Sequence, residues 1–308
     1  MINRRVFLSA AAAAAGAVTA SARTHGMLIH LSCGAIGVKA DQKQAIDYAS
    51  RFGFDAVDVD ARYLGTLSDA DLKALLDDMK SRNIAWAIAG VPVDFRKDDA
   101  AFNDSMKSFP ATAAVLKRAG VTRMTTWISP GDAERTFIQN QRVHAQRLRE
   151  VAKILGDNGV RLGLEYVGPK TAWTRSRYPF IHSMAEMKDL IADIGQRNVG
   201  FVLDSWHWYT AGESKKDLMT LRASDVVSVD LNDAPSGIPV DQQIDSKREL
   251  PAATGVIDVK SFLGALKEIG YDGPVRAEPF NEAVRKMAPE QAIQATKAAI
   301  DKAFAQIG

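Results

Sequence analysis

The stretch Asp204-Ser-Trp-His-Trp-Tyr209 places a carboxylate and an imidazole three residues apart, directly after the apolar run Val199-Gly-Phe-Val-Leu203. That run reads as a buried strand. A buried strand end gains nothing from an unpaired Asp or His, because removing either from water costs free energy unless a partner compensates. The pair asks for a metal, a substrate or each other. Trp206, Trp208 and Tyr209 crowd the same stretch. Glu165, Asp230 and Glu278 stand in the same relation to the apolar runs at 161–165, 226–230 and 274–278. Four such carboxylates brought together would repel one another and, left unpaired, hold raised pKa values. A divalent cation relieves that repulsion. An all-oxygen shell suits a hard or borderline ion, Mn²⁺ first, with Mg²⁺, Co²⁺ and Zn²⁺ as alternatives. Taken one at a time, each acid could equally cap a loop or pair with a Lys or Arg.

Convergence requires a frame. From Met27 onward, strand-like runs alternate with amphipathic helical ones. The strands read as 27–31, 56–60, 84–88, 121–128, 161–165, 199–203, 226–230 and 274–278. The helices read as 41–52, 68–80, 97–116, 134–155, 184–194, 216–221, 259–269 and 289–307. Ser68 is the expected cap of the second helix, Gly53 the stop of the first, and Pro289 sits in the first turn of the last. Eight β–α units predict an α/β chain folded as a (β/α)8 TIM barrel, whose usual length is about 250 residues. The C-terminal strand ends of such a barrel meet at one mouth, which would assemble the four acids. An open doubly wound sheet is the alternative. Against it, no Gly-rich phosphate loop follows the first strand; Gly34-Ala-Ile-Gly37 does not match one.

Composition is that of a globular protein: 46% hydrophobic and 25% charged in 308 residues, with net charge +2. The balance gives no push towards nucleic acid or an anionic membrane. A single cysteine, Cys33, excludes an intramolecular disulfide framework and any Cys-rich zinc site. Residues 1–22 differ from the rest. Arg4-Arg5, an Ala-rich weakly apolar run and Ala20-Ser21-Ala22 come in the order of a twin-arginine export signal. The alternative is an Ala-rich helix packed as an N-terminal extension. The run is too short and too Ala-rich for a stable membrane anchor. The expected organisation is a signal over 1–22 and one barrel over 23–308, working in the periplasm, with a homo-oligomer left open.

Gly163-Leu-Glu165, Leu203-Asp204-x-x-His207, Ser228-Val-Asp-Leu-Asn-Asp233, Arg248-Glu-Leu-Pro251, Gly270-Tyr-Asp-Gly-Pro274 and Glu278-Pro-Phe280, in this order and spacing, resemble the sugar phosphate isomerase/epimerase family. This is the xylose isomerase-like barrel group that includes ketose 3-epimerases and inosose-handling enzymes. The resemblance implies a metal held by Glu, Asp, His and Glu, of which Glu165, Asp204 and Glu278 match. The family's His falls on Asp230, so this chain departs there. Asp230 is either a substitute ligand or a neighbour of the metal, with Asn232 and Asp233 as further candidates. The resemblance also implies substrate contacts from His207 and Arg248. Pro251-Ala-Ala-Thr-Gly255 stands where the family has Pro-Gly-x-Gly.

These residues could move a proton next to a carbonyl. Glu165 and Glu278 are the expected acid–base pair, the ion stabilises an enediolate, and Trp127, Trp206 and Trp208 stack on a sugar face. The expected activity is isomerisation or epimerisation of a carbohydrate or cyclitol. β-Elimination from a 3-keto-glycoside, a lyase reaction, needs the same groups. A non-catalytic carbohydrate-binding barrel is a third reading. A nuclease on this barrel would need more histidines than the five present. His30 and His182 read as structural, and His144 as solvent-facing.

Overall fold

A computed structural model describes residues 26–308; the export-signal reading of residues 1–22 lies outside them. Eight parallel strands close into a barrel: β1 Leu28–Leu31, β2 Ala56–Val59, β3 Ala85–Gly90, β4 Arg123–Trp127, β5 Arg161–Glu165, β6 Val199–Asp204, β7 Val226–Leu231 and β8 Pro274–Ala277. Each strand pairs with its sequence neighbours, and β8 returns to β1. Strands β6 and β7 are buried along their whole length. That explains why they read as continuous apolar runs rather than alternating ones.

The crossover helices cover the barrel in sequence order. They are Gln42–Phe52, Asp69–Ser81, Asp99–Arg118, Phe137–Asp157, Met184–Ile194, Val259–Glu268 and Pro289–Phe304. Their starts are set by side chains that satisfy free backbone N–H groups. Asp41 and Gln44 form a reciprocal capping box, Ser68 accepts from the Asp71 N–H, and Ser183 accepts from the Glu186 N–H. The β6–β7 crossover is the exception. In place of a helix over 216–221 it has two short ones, Ser205–Thr210 and Lys215–Leu218. The second is a single turn, fixed by a box between Ser214 and Asp217. Among the described residues, no helix is long and apolar enough to cross a membrane.

The interior is tight below the mouth on the β5 side. A Cβ on Gly163 would lie 3.0 Å from the side chains of Val202 and Val227 and 3.1 Å from that of Thr125. Three strands thus close over this position, two residues below Glu165, and only the smallest residue fits without displacing them.

Candidate active site and metal centre

The Asp-x-x-His spacing has a local cause. Asp204 ends β6 and is also the N-cap of the helix Ser205–Thr210, accepting from the Trp206 N–H at 2.8 Å. His207 is then the third residue of that helix, one turn above Asp204, with its Nε2 3.7 Å from Asp204 Oδ2. The His207 ring is oriented from the far side. The Gly168 N–H, from the segment after β5, donates to His207 Nδ1 at 3.2 Å. An accepting Nδ1 would leave the proton of the neutral ring on Nε2, but Arg248 Nη2, a donor only, lies 3.3 Å from Nε2, so the one-proton ring cannot accept from both neighbours; Nε2 is also 3.9 Å from the Glu165 carboxylate. A metal-bound histidine donates through its second nitrogen, the opposite of an Nδ1 that faces the fixed Gly168 N–H.

The acids predicted at strand ends meet as the barrel requires. Ligand atoms of Glu165, Asp230 and Glu278 lie within 4.8 Å of one another, as do those of Glu165, Asp204 and His207. Glu165 and Glu278 line a cavity of about 580 Å³ together with Trp127, His207, Arg248 and Phe280. Asp204 and Asp230 are fully buried. A larger hollow of about 1090 Å³ lies over β1–β3 and has none of these four acids in its wall.

Two guanidinium groups run through the cluster. Arg248 Nη1 donates to Asp204 Oδ2 at 2.7 Å, and its Nη2 to Asp245 Oδ1 at 2.8 Å. Arg276, on β8, donates to both oxygens of Asp230, at 2.7 and 2.8 Å, and to Glu278 Oε1 at 2.8 Å. Asn232 ties the set together: its amide donates to Asp204 Oδ1 at 2.9 Å and its oxygen accepts from the Glu278 N–H at 3.0 Å. Among the described residues, Glu165 Oε1 is a buried oxygen with no hydrogen-bond donor. A buried orphan acceptor inside an oxygen-rich cluster suits a hard or borderline divalent cation, so the residues fit one seated on Glu165.

A family model described as a xylose isomerase-like TIM barrel matches residues 46–303. The chain belongs to that family. It is 24% identical to the inosose isomerase of Bacillus velezensis over 271 residues, 85% of this chain and 93% of that protein. Its fold superposes with a TM-score of 0.78 on a xylose isomerase domain protein from Alicyclobacillus acidocaldarius, at 31% identity over 91% of this chain and 99% of the other. A crystal structure of IOLI protein with a bound zinc atom superposes with a TM-score of 0.76, at 22% identity over 92% and 99% of the two chains.

In this xylose isomerase-like barrel, burial dominates the electrostatics of the mouth. It pushes the Glu165 carboxyl well above the usual range, helped by the charges of Glu278, Asp230 and Asp204. It also raises Glu278 to about 7, against the opposing pull of Arg276 and Arg248, and Asp204 to about 6, against Arg248. Burial and the neighbouring Arg248 hold the His207 pKa down to about 3, so its ring is neutral at physiological pH. Carboxyls poised near neutrality can both take and give a proton at working pH.

The aromatic residues separate. Trp127 is 47% exposed on the cavity rim, adjacent in register to Glu165, with Arg96 stacked 4.2 Å from its ring centroid. Trp206, read from the sequence as substrate-facing, is instead fully buried. Its ring backs the Arg248 guanidinium, which Phe280 flanks at 4.6 Å, so Trp206 supports the arginine and cannot reach a substrate. Trp208 packs on Phe262. His144, expected in solvent, is buried against Phe95 and Phe180, with Nδ1 3.0 Å from the Asn140 carbonyl.

Two functional residues, Arg276 and Asp245, were absent from the sequence reading, and Asn232 entered it only as a candidate near the metal. Arg276 had a usable signal, since Arg276-x-Glu278 puts both on one face of a strand. The structural role of Asn232 had none, because its partners Asp204 and Glu278 lie on other β–α units, and Asp245 pairs with Arg248 three residues on in an irregular loop whose shape the spacing does not give.

Proposed function

We propose that this protein is a divalent-metal-dependent isomerase or epimerase acting on a sugar, keto-sugar or cyclitol through an enediolate. The reading is carried by one observation: Glu165 and Glu278, from β5 and β8, both enter the same cavity, with carboxyls raised towards or above neutrality. One glutamate removes the proton α to the substrate carbonyl, and the other returns it. Return to the opposite face inverts the carbon; return on the same side to the neighbouring carbon isomerises it. The His207 ring and the Arg248 guanidinium hold substrate oxygens, and the exposed face of Trp127 takes an apolar sugar face. A divalent ion held through Glu165, Asp204 and Glu278, Mn²⁺ in our assignment, supplies Lewis-acid stabilisation of the enediolate charge.

The relatives support the reaction class: a protein similar over most of its length is an inosose isomerase, and a similar fold binds zinc. Export through the twin-arginine route belongs to the same proposal and rests on Arg4-Arg5 and Ala20-Ser21-Ala22. It favours free sugars and glycosides over phosphorylated ones, and a reporter fused behind residues 1–22 tests it. For the chemistry, metal-loaded protein is incubated with keto-sugars, inososes and 3-keto-glycosides in deuterated water. Deuterium at the α carbon of a stereoisomer or positional isomer supports the proposal. Release of the aglycone from a 3-keto-glycoside assigns the lyase instead, and no exchange with any class overturns both.

A further inference from the structure

Asp230 stands where the register leaves it little choice. In the ladder, Asp204 and Asp230 are Cα partners across β6–β7, and Asp230 and Arg276 are Cα partners across β7–β8. The row Asp204–Asp230–Arg276 is therefore fixed by backbone pairing. Like charges directly opposite one another destabilise a sheet, and a buried carboxylate needs a counter-charge. Arg276 meets both needs on the other flank, using its planar fork on both Asp230 oxygens. The fork is itself held. Its Nη1 lies 3.5 Å from Ser32 Oγ, which donates to Asp58 at 2.6 Å, and Asp58 is 2.8 Å from His30 Nε2. Strands β1, β2, β7 and β8 thus converge on one guanidinium.

Asp204 differs. Its contact with arginine runs through one oxygen, and Arg248 comes from a loop and is shared among Asp204, Asp245 and Glu278. That bond can be exchanged for a cation without undoing a register pair.

We propose that Asp230–Arg276 is a permanent internal ion pair, so that Asp230 is a positioning residue outside the metal shell and Glu165, Asp204 and Glu278 alone carry the ion. Arg276, bonded also to Glu278 Oε1, fixes how that glutamate presents its second oxygen. The inference rests on the metal reading above.

The test is titration of metal-free full-length protein with Mn²⁺ and with Co²⁺, whose visible absorption reports its ligand set. The charge-balanced double variant Asp230→Asn/Arg276→Gln loses the Arg276 donor to Glu278 but no ligand, so it is expected to keep the Co²⁺ spectrum while its affinity moves by less than about tenfold. Arg276→Gln alone releases Asp230 and removes a cation, so it is expected to bind at least about tenfold tighter with an altered spectrum. A double variant that loses tenfold or more in affinity overturns the inference, as does an Arg276→Gln protein that binds no tighter. Should the single variant fail to fold, with Asp230 buried and unpaired, the double variant decides alone. A wild-type protein that binds neither ion removes the metal reading as well, whereas a loss confined to the double variant removes only this inference.

Discussion

Glu165→Gln is expected to raise the stability of the metal-free protein while abolishing its turnover. The side chain is buried with an orphan oxygen, and ligand atoms of Asp230 and Glu278 lie within 4.8 Å of its own. Two unit charges at that distance repel by about 3.5 kcal/mol at an effective dielectric constant near 20. Arg248 pulls the other way, and the carboxyl escapes part of the cost by taking up a proton. A net gain of about 1–3 kcal/mol for the neutral isostere follows, or about 2–5 °C in Tm for a domain of this size. The gain must depend on pH. A carboxyl raised in the fold contributes stability that is complete below its unfolded value of about 4.5 and is lost as pH rises through the folded value. Wild type and variant therefore converge near pH 4.5 and separate at pH 8. Turnover falls because a proton-transfer group worth about 10²–10⁴-fold is gone and a metal ligand with it. Differential scanning calorimetry at the two pH values, beside a deuterium-exchange assay, measures both arms. A Glu165→Gln protein that is less stable than wild type at pH 8 without metal, or that keeps turnover within tenfold, refutes the reasoning.

Metal affinity should weaken by about tenfold per pH unit as pH falls from 8 to 5.5, with protons released on binding, because Glu278 at about 7 and Asp204 at about 6 must lose their protons to act as ligands. Mn²⁺ titration in an indicator dye reads both, and a flat profile contradicts it. His207→Gln should keep metal affinity within about threefold and lower kcat/KM by about 10–100-fold, since the Gly168 N–H on Nδ1 sets His207 against a ligand role; a lost ion would reverse that assignment. Gly168→Ala should cost about 1–3 kcal/mol by chemical denaturation, because its Cβ would meet the His207 carbonyl oxygen at 2.4 Å and Thr210 Oγ1 at 2.8 Å. The control Gly264→Ala, mid-helix with open space around it, should stabilise instead. Burial holds the His144 pKa at about 4, so its contribution is present above the unfolded value of about 6.5 and is lost as pH falls towards 4, up to about 3 kcal/mol. Melting curves of His144→Leu at pH 7 and 4.5 should show that acid sensitivity reduced, and unchanged sensitivity places its source elsewhere.

The barrel and its mouth were legible because strand ends and apolar runs are local. Glu165 closes β5 where the run predicts, and Asp204 falls one position past the predicted end of β6. Orientation was less accessible. In the helix Phe137–Asp157 the buried stripe carries His144, Leu148, Val151 and Leu155, a spacing that places the histidine on the core face despite its polar neighbours. Polarity suggested solvent; periodicity held the better answer. Trp206 and Trp127 could not be ranked at all, because which ring faces the cavity depends on the short helix that follows β6 and on a loop arginine from the next unit. Arg276 carried a spacing signal towards Glu278, but its pairing with Asp230 was hidden, because that cross-strand partner comes only with the closure of β7 on β8.

That closure also settles the charge arithmetic of the mouth. Glu165, Asp204, Asp230 and Glu278 carry four formal negative charges, and Arg248 and Arg276 carry two positive ones, so 4 − 2 leaves two. Asp245, the fifth acid near Arg248, has a side chain 37% exposed and is screened by water. With Arg276 committed to Asp230, the three acids Glu165, Asp204 and Glu278 and the shared Arg248 leave the same two negative charges, and the two glutamates face the cavity. One divalent cation then brings the cluster to neutrality with both glutamates ionised, so either can start as the base, and the partner returns a proton only after taking one up. An additional guanidinium commitment, or a fourth carboxylate released to the ion, would break that balance in opposite directions. Asp230, standing where the resemblance implies a histidine, is thus balanced only together with Arg276: the acid alone would leave the mouth one charge too negative, and the pair restores it.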